Sequence, residues 1–147
     1  MTDKTALLKP GAKTDWETPD EVFEYYDDMA LELFGERLQL DVCATEENTK
    51  CRDWFYDTPE ASGLLNVWDR PFWCNPPYGR GIGAWVKKAM DSLAPGMMLL
   101  PVRTDTRWFH DYLNDAPSVR LEFIKGRITF VGAPAPAPFP SMVVVFL

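Results

Sequence analysis

Met97-Met98-Leu99-Leu100 is an unbroken apolar run, entered from a Pro95-Gly96 turn and closed by Pro101. It offers water no polar side, and it is too short for an ordinary buried helix. Such a run fits a strand covered on both faces, the signature of a parallel sheet lying between helices. Three shorter segments precede it: Leu38 to Cys43, Trp54-Phe55-Tyr56, and Pro71 to Cys74. Helical segments alternate with them. Thr18-Pro19 opens the first, with Thr18 as cap and Pro19 in the first turn. Asp20 and Glu21 complement its amide end, Val22, Tyr26, Met29 and Leu33 form its face, and Gly35 ends it. Gly81 to Leu93 is the second, with Trp85, Ala89 and Leu93 on one side, and Asp105 or Thr106 caps a third running through Leu113. Beyond that the order changes. Val119–Ile124 and Arg127–Val131 read as strands joined by Lys125-Gly126, then the extended stretch Ala133–Pro140 leads to a last strand, Ser141–Leu147. The expectation is an open α/β sheet, parallel at its centre, with a C-terminal antiparallel hairpin. Residues 1–14 show no periodicity and read as a flexible N-terminal arm; residues 15–147 read as a single domain.

Composition narrows the setting. The 147 residues are 46% hydrophobic and 25% charged, which suits one globular domain. No apolar stretch nears the roughly 20 residues that cross a membrane, and the opening MTDKTALLKPGAKTDW has no signal-peptide core, so a cytoplasmic protein is expected. Cys43, Cys51 and Cys74, with the single His110 far away in sequence, make no metal-ligand pattern and suit a reducing compartment. The net charge of −7 is unevenly spread: residues 1–69 hold 6 basic and 17 acidic side chains, residues 70–147 hold 9 basic and 5 acidic. The basic part interleaves Arg80, Lys87, Lys88, Arg103, Arg107, Arg120, Lys125 and Arg127 with aromatics, a pattern that can meet a polyanion.

In open α/β sheets ligands sit beyond the carboxyl ends of the strands. Those ends here are Asp41-Val42-Cys43-Ala44, Asn75-Pro76-Pro77-Tyr78 and Pro101 to Asp105. The second is chemically specific. Two prolines fix the backbone and donate nothing, so the Asn75 side-chain oxygen and the Pro76 carbonyl are prepositioned acceptors. Aimed at the two N–H bonds of a planar, conjugated NH2 group, they draw its nitrogen towards a tetrahedral form and turn the lone pair on an electrophile. Tyr78 supplies a flat ring for the same substrate, and stacking a base on such a ring is worth about 1–3 kcal/mol. Asparagine takes no proton, so the proton leaves to water after transfer. No Pro-Cys arrangement for attack on a cytosine ring is present.

The motif resembles that of S-adenosylmethionine-dependent amino-methyltransferases. The wider pattern resembles the phage-type DNA N6-adenine methyltransferase family: DWETPDEVF, LDVCATEENTKC, WCNPPYGRGIGAWVKKA, LLPVRTDTRWFH, IKGRITFVG and APFPSMVVVF follow one another in that family's order across nearly the whole chain. Asn-Pro-Pro-Tyr alone also occurs in protein-glutamine and RNA methyltransferases, so the flanking segments carry the resemblance. It implies a Rossmann-like S-adenosylmethionine-dependent methyltransferase fold acting on double-stranded DNA, with the adenine flipped out because its N6 is otherwise paired. It implies Asn75, Pro76, Pro77 and Tyr78 as the catalytic segment. It implies that Asp41 with Cys43 and Ala44 lines the cofactor's methionine end, and that Trp16, Thr18 and Pro19 close over it. A phage or prophage product working in the bacterial cytoplasm, protecting phage DNA from nucleases, is the implied setting.

Two positions depart from the pattern. The loop after the first strand, Ala44-Thr45-Glu46-Glu47-Asn48, carries no glycine, and Ser62 stands where an acidic residue is expected before Gly63-Leu64; Asp57 or Glu60 then supplies the contact to the cofactor's ribose or adenine. Candidate DNA contacts are Arg80 beside the Gly81–Gly83 turn, Arg103, Thr104, Arg107 and Arg127, with Phe139 and Ser141 on the proline-fixed loop before the last strand. His110 reads as structural or DNA-facing. With no separate recognition domain in 147 residues, sequence reading is expected from loops or from a second subunit.

Overall fold

The computed structural model describes residues 16–56 and 62–147. The expected arm at residues 1–14, and Asp57 and Glu60, lie outside the described residues. Helix α1 (Asp20–Phe34) precedes strands β1 (Leu40–Ala44) and β2 (Asp53–Tyr56), a 3-10 turn (Gly63–Leu65) and β3 (Phe72–Cys74). Helix α2 (Ile82–Asp91), β4 (Gly96–Pro101), a π-helical turn (Phe109–Leu113), β5 (Val119–Phe123) and β6 (Ser141–Phe146) complete the order. The strands form one sheet in the order β2-β1-β3-β4-β6-β5. The β1–β2, β1–β3 and β3–β4 pairs are parallel, while β6 runs antiparallel to both β4 and β5.

The C-terminal pair is antiparallel, but it is not the expected one. Arg127–Val131 is no strand; β5 pairs instead with β6, whose six residues are all buried. A strand whose last five residues are all apolar gains more by sitting between two neighbours than at an edge. Arg127–Val131 lies over the sheet, burying Ile128 and Phe130. It is held by the Ala137 N–H donating to the Ile128 carbonyl (2.8 Å) and the Val131 N–H donating to the Glu17 carbonyl (3.0 Å).

The alternation of the strands divides the core into two layers. Leu40, Val42, Phe72, Met98, Leu100 and Val144 face α2 with Trp85 and Val86; Trp73, Met97, Leu99, Val143 and Val145 face α1 with Phe23, Tyr26 and Ala30. Even the all-apolar β4 therefore serves two separate interiors. The helix faces differ from expectation at their ends. Leu33 is exposed on α1, and Leu93, past the α2 terminus at Asp91, is fully exposed. Thr18 is not the cap of α1: Pro19 is, its carbonyl accepting from the Val22 and Phe23 N–H groups, and the Thr18 hydroxyl is engaged elsewhere. Of the two candidates for the third cap it is Thr106, whose Oγ1 accepts from the Phe109 N–H at 3.4 Å.

Two glycines mark close approaches. A Cβ at Gly63 would fall 1.9 Å from the Val42 carbonyl oxygen, and one at Gly96 would fall 2.4 Å from the Phe72 ring. No helix among the described residues is long and apolar enough to cross a membrane.

Candidate active site

From β1 the chain passes to β2 on one side and, later, to β3 on the other. Their carboxyl ends diverge there and open a crevice, the usual ligand position in such a sheet. A cavity of about 370 Å³ occupies it, lined by Trp16, Glu17, Thr18, Asp41, Cys43, Ala44, Thr45, Asn48, Lys50, Trp73, Asn75 and Val131. Its volume falls in the range of small-molecule sites. Of the residues assigned to a cofactor from sequence, Trp16, Thr18, Asp41, Cys43, Ala44 and Asn75 come together here. Pro19 is buried at the start of α1 and does not line the cavity.

Asp41 is buried as the second residue of β1. Its Oδ1 accepts from the Cys43 N–H (3.3 Å) and its Oδ2 from the Lys50 N–H (2.9 Å). Loss of water pushes its carboxyl up to about 7, against the pull of those two N–H groups and of the Lys50 charge. Lys50 itself was not foreseen. Its side chain is 9% exposed, with the ammonium 2.9 Å from Asp20 and 3.7 Å from Glu17. It stands in the polar stretch Glu46 to Arg52, and only its backbone N–H on Asp41 and its place in the cavity wall single it out. The glycine-free turn after β1 is closed by side chains. Asn48 Oδ1 accepts from the Thr45 N–H (2.7 Å) and Thr45 Oγ1 from the Asn48 N–H (3.3 Å). Ser62 serves a local purpose, its Oγ accepting from the Leu64 N–H at 3.1 Å.

Asn75 leaves β3 directly into this crevice. Its Nδ2 donates to the Trp16 carbonyl and, at 3.2 Å, to Thr18 Oγ1. Its Oδ1 is buried with no hydrogen-bond partner. The Pro76 carbonyl likewise accepts from no described residue. An orphaned buried acceptor is costly, and a donor from outside the chain, a ligand or a water, offsets that cost. The orientation of the amide is fixed by chemistry, because the Trp16 carbonyl can only accept. Pro76 is buried and Pro77 half-buried.

Tyr78 points inward. It is 4% exposed, its hydroxyl donates to the Leu99 carbonyl at 3.0 Å, and burial pushes its phenol well above the ordinary value. Phe139 meets it edge-on at 5.7 Å and also contacts Trp16 (5.3 Å) and Phe130 (6.2 Å). Phe139 is thus half-buried in an aromatic cluster, and Ser141, as the first residue of β6, which lies between β4 and β5, is 1% exposed. Neither offers the open surface a DNA contact needs in this conformation. Arg80, Arg103, Thr104, Arg107 and Arg127 are exposed on loops that all leave the carboxyl edge of the sheet. None of these four arginines pairs with a carboxylate of a described residue, and Arg127 donates to the Ala137 carbonyl at 3.4 Å. His110 is exposed, with Nε2 2.7 Å from the Thr104 carbonyl, so it braces this loop.

Residues 5–139 match the model of the family described as DNA N-6-adenine-methyltransferase (Dam). The DNA N-6-adenine-methyltransferase of Haemophilus phage HP1 (strain HP1c1) is 32% identical over 127 residues, which is 84% of this chain and 69% of that protein. A protein of the same name from Escherichia phage T1 is 33% identical over 109 residues, 71% of this chain and 42% of that longer protein. A match over most of the chain, two phage relatives and an unfilled acceptor at the motif's first residue lead to one conclusion: the chain belongs to the DNA N-6-adenine-methyltransferase (Dam) family.

Proposed function

We infer that this chain transfers a methyl group from S-adenosylmethionine to the N6 of adenine in double-stranded DNA, on a Rossmann-like methyltransferase fold. The observation that carries this reading is Asn75 Oδ1, a buried acceptor without a partner at a ligand crevice. The residues around it fit the cofactor. Carboxylates of Glu17 and Asp41 suit its cationic groups, Lys50 suits its carboxylate, and Thr45 and Asn48 add neutral polar edges. When bound, S-adenosylmethionine supplies an electrophilic methyl group on a sulfonium.

The chain's own part is positioning. Asn75 Oδ1 and the Pro76 carbonyl accept from the two N6–H bonds, localising the lone pair on nitrogen. Acceptors held rigidly need no reorganisation at the moment of transfer, which is where such sites gain most. Adenine N6 lies inside the duplex, so the base leaves the stack to reach them. Stacking on Tyr78 then requires Phe139 to move aside. The unpaired arginines of the carboxyl-edge loops supply phosphate contacts. The phage relatives support a phage or prophage setting.

The test is methyl transfer from labelled S-adenosylmethionine, with duplex DNA, RNA and bulk protein offered in parallel. Label in DNA alone is expected. Label in RNA or protein alone would overturn the assignment of substrate.

A further inference from the structure

Asn75 is held by a segment distant in sequence, and the manner of holding discriminates between side chains. Both hydrogens of its Nδ2 are taken, one by the Trp16 carbonyl and one by Thr18 Oγ1. Thr18 is 2% exposed, and the following Pro19 confines its backbone to extended conformations. The segment is fastened on both sides. The Glu17 carbonyl accepts from the Val131 N–H at 3.0 Å, and the Trp16 ring packs on Phe130 and Phe139, both at 5.3 Å. The same segment lines the cavity through Trp16, Glu17 and Thr18.

We propose that the Trp16 carbonyl and the Thr18 hydroxyl are positioning groups that lock the Asn75 amide with its oxygen facing the crevice, and that they make position 75 selective for an amide over a carboxylate. This rests on the reading of Asn75 as the acceptor for the reacting amino group. Rotating the amide by half a turn sets oxygen against the Trp16 carbonyl and presents an NH2 group to an incoming NH2 group. Both contacts are repulsive. An aspartate meets the same carbonyl with a carboxylate oxygen, unless it carries a proton to donate. The Thr18 hydroxyl adapts, because it accepts or donates; the Trp16 carbonyl does not, so it enforces the choice.

Side-chain NMR of the uncomplexed chain tests this independently of activity. The Asn75 NH2 protons are expected to exchange with water at least about tenfold more slowly than those of exposed Asn114, since opening breaks two hydrogen bonds. Thr18→Val is expected to remove that protection and Thr18→Ser to keep it, with thermal melts reporting whether each variant folds. In Asn75→Asp, the new carboxyl is expected to titrate at least about one unit above an ordinary aspartate. Its methyl transfer, relative to wild type, should then rise as pH falls from 8 to 6 by up to about 100-fold, a factor of ten for each unit. Thr18→Val should lower kcat more than the KM for DNA. Fast exchange of the Asn75 protons in the wild type, or an ordinary titration in Asn75→Asp, overturns the proposal. A wild-type chain that shows the protected amide yet methylates no DNA would leave this inference standing and overturn the functional reading instead.

Discussion

At the scale of single residues, the site combines two groups that are uncomfortable without a ligand. One is the Asn75 acceptor; the other is Asp41. With burial raising the Asp41 carboxyl to about 7 from an ordinary 3.8, the folded chain holds a proton that the unfolded chain has lost across that interval. Stability from this group is therefore complete below pH 4 and declines as pH rises to 7, by at most about 4 kcal/mol at 1.4 kcal/mol per unit. Urea unfolding of the uncomplexed chain between pH 4.5 and 8 should show this decline, and Asp41→Asn should flatten it. Parallel pH profiles for the two proteins would remove Asp41 as its source. A cationic ligand beside Asp41 favours the charged carboxylate, so saturating S-adenosylmethionine should restore stability most at pH 7 and above.

At the scale of elements, the close approach of the 3-10 turn to β1 sets a limit on substitution. Gly63→Ala places a methyl group against the Val42 backbone, which no rotamer change relieves, and should cost about 1–3 kcal/mol in chemical denaturation. Thr106→Ala should cost about 1 kcal/mol as a lost cap, and it should loosen the loop holding Arg103 and Arg107. The elements legible in sequence were those whose pattern has one physical solution. The four-residue apolar run became β4, and Ser141 to Phe146 became its neighbour β6. Arg127–Val131 misled because Ile128 and Phe130 alternate like a strand, yet both bury their side chains with no ladder at all. Leu33 and Leu93 sit at helical spacing but outside the packed stripe. Thr18 looks like a helix cap in sequence because its partner, Asn75, lies far along the chain. The position of Asn75 at the crevice was legible because the two prolines end a buried strand at the carboxyl edge of the sheet, where such crevices open. Lys50 and the inward turn of Tyr78 depend on contacts across the fold and have no local signature.

At the scale of the whole molecule, an acidic chain carries Arg80, Arg103, Arg107 and Arg127, none paired with a carboxylate of a described residue, on the edge of the sheet where the crevice opens, while Arg52 lies at the opposite edge before β2. Local charge, rather than the net −7, then governs a polyanionic partner. If Arg103 and Arg107 each meet a phosphate, Arg103→Ala and Arg107→Ala should each reduce the slope of log affinity against log salt by about 0.9. An unchanged slope in both would move the DNA path elsewhere. The central claim concerns the atom that is modified, and one measurement reaches it directly. Duplex DNA lacking adenine methylation is incubated with S-adenosylmethionine and either the wild-type chain or Asn75→Ala, then digested to nucleosides and analysed by mass spectrometry. N6-methyladenine from the wild type, reduced at least about 100-fold in the variant as expected for a lost prepositioned acceptor, is the predicted result. A folded wild-type chain that binds the cofactor and leaves adenine unmodified, or an Asn75→Ala variant as active as the wild type, would contradict it.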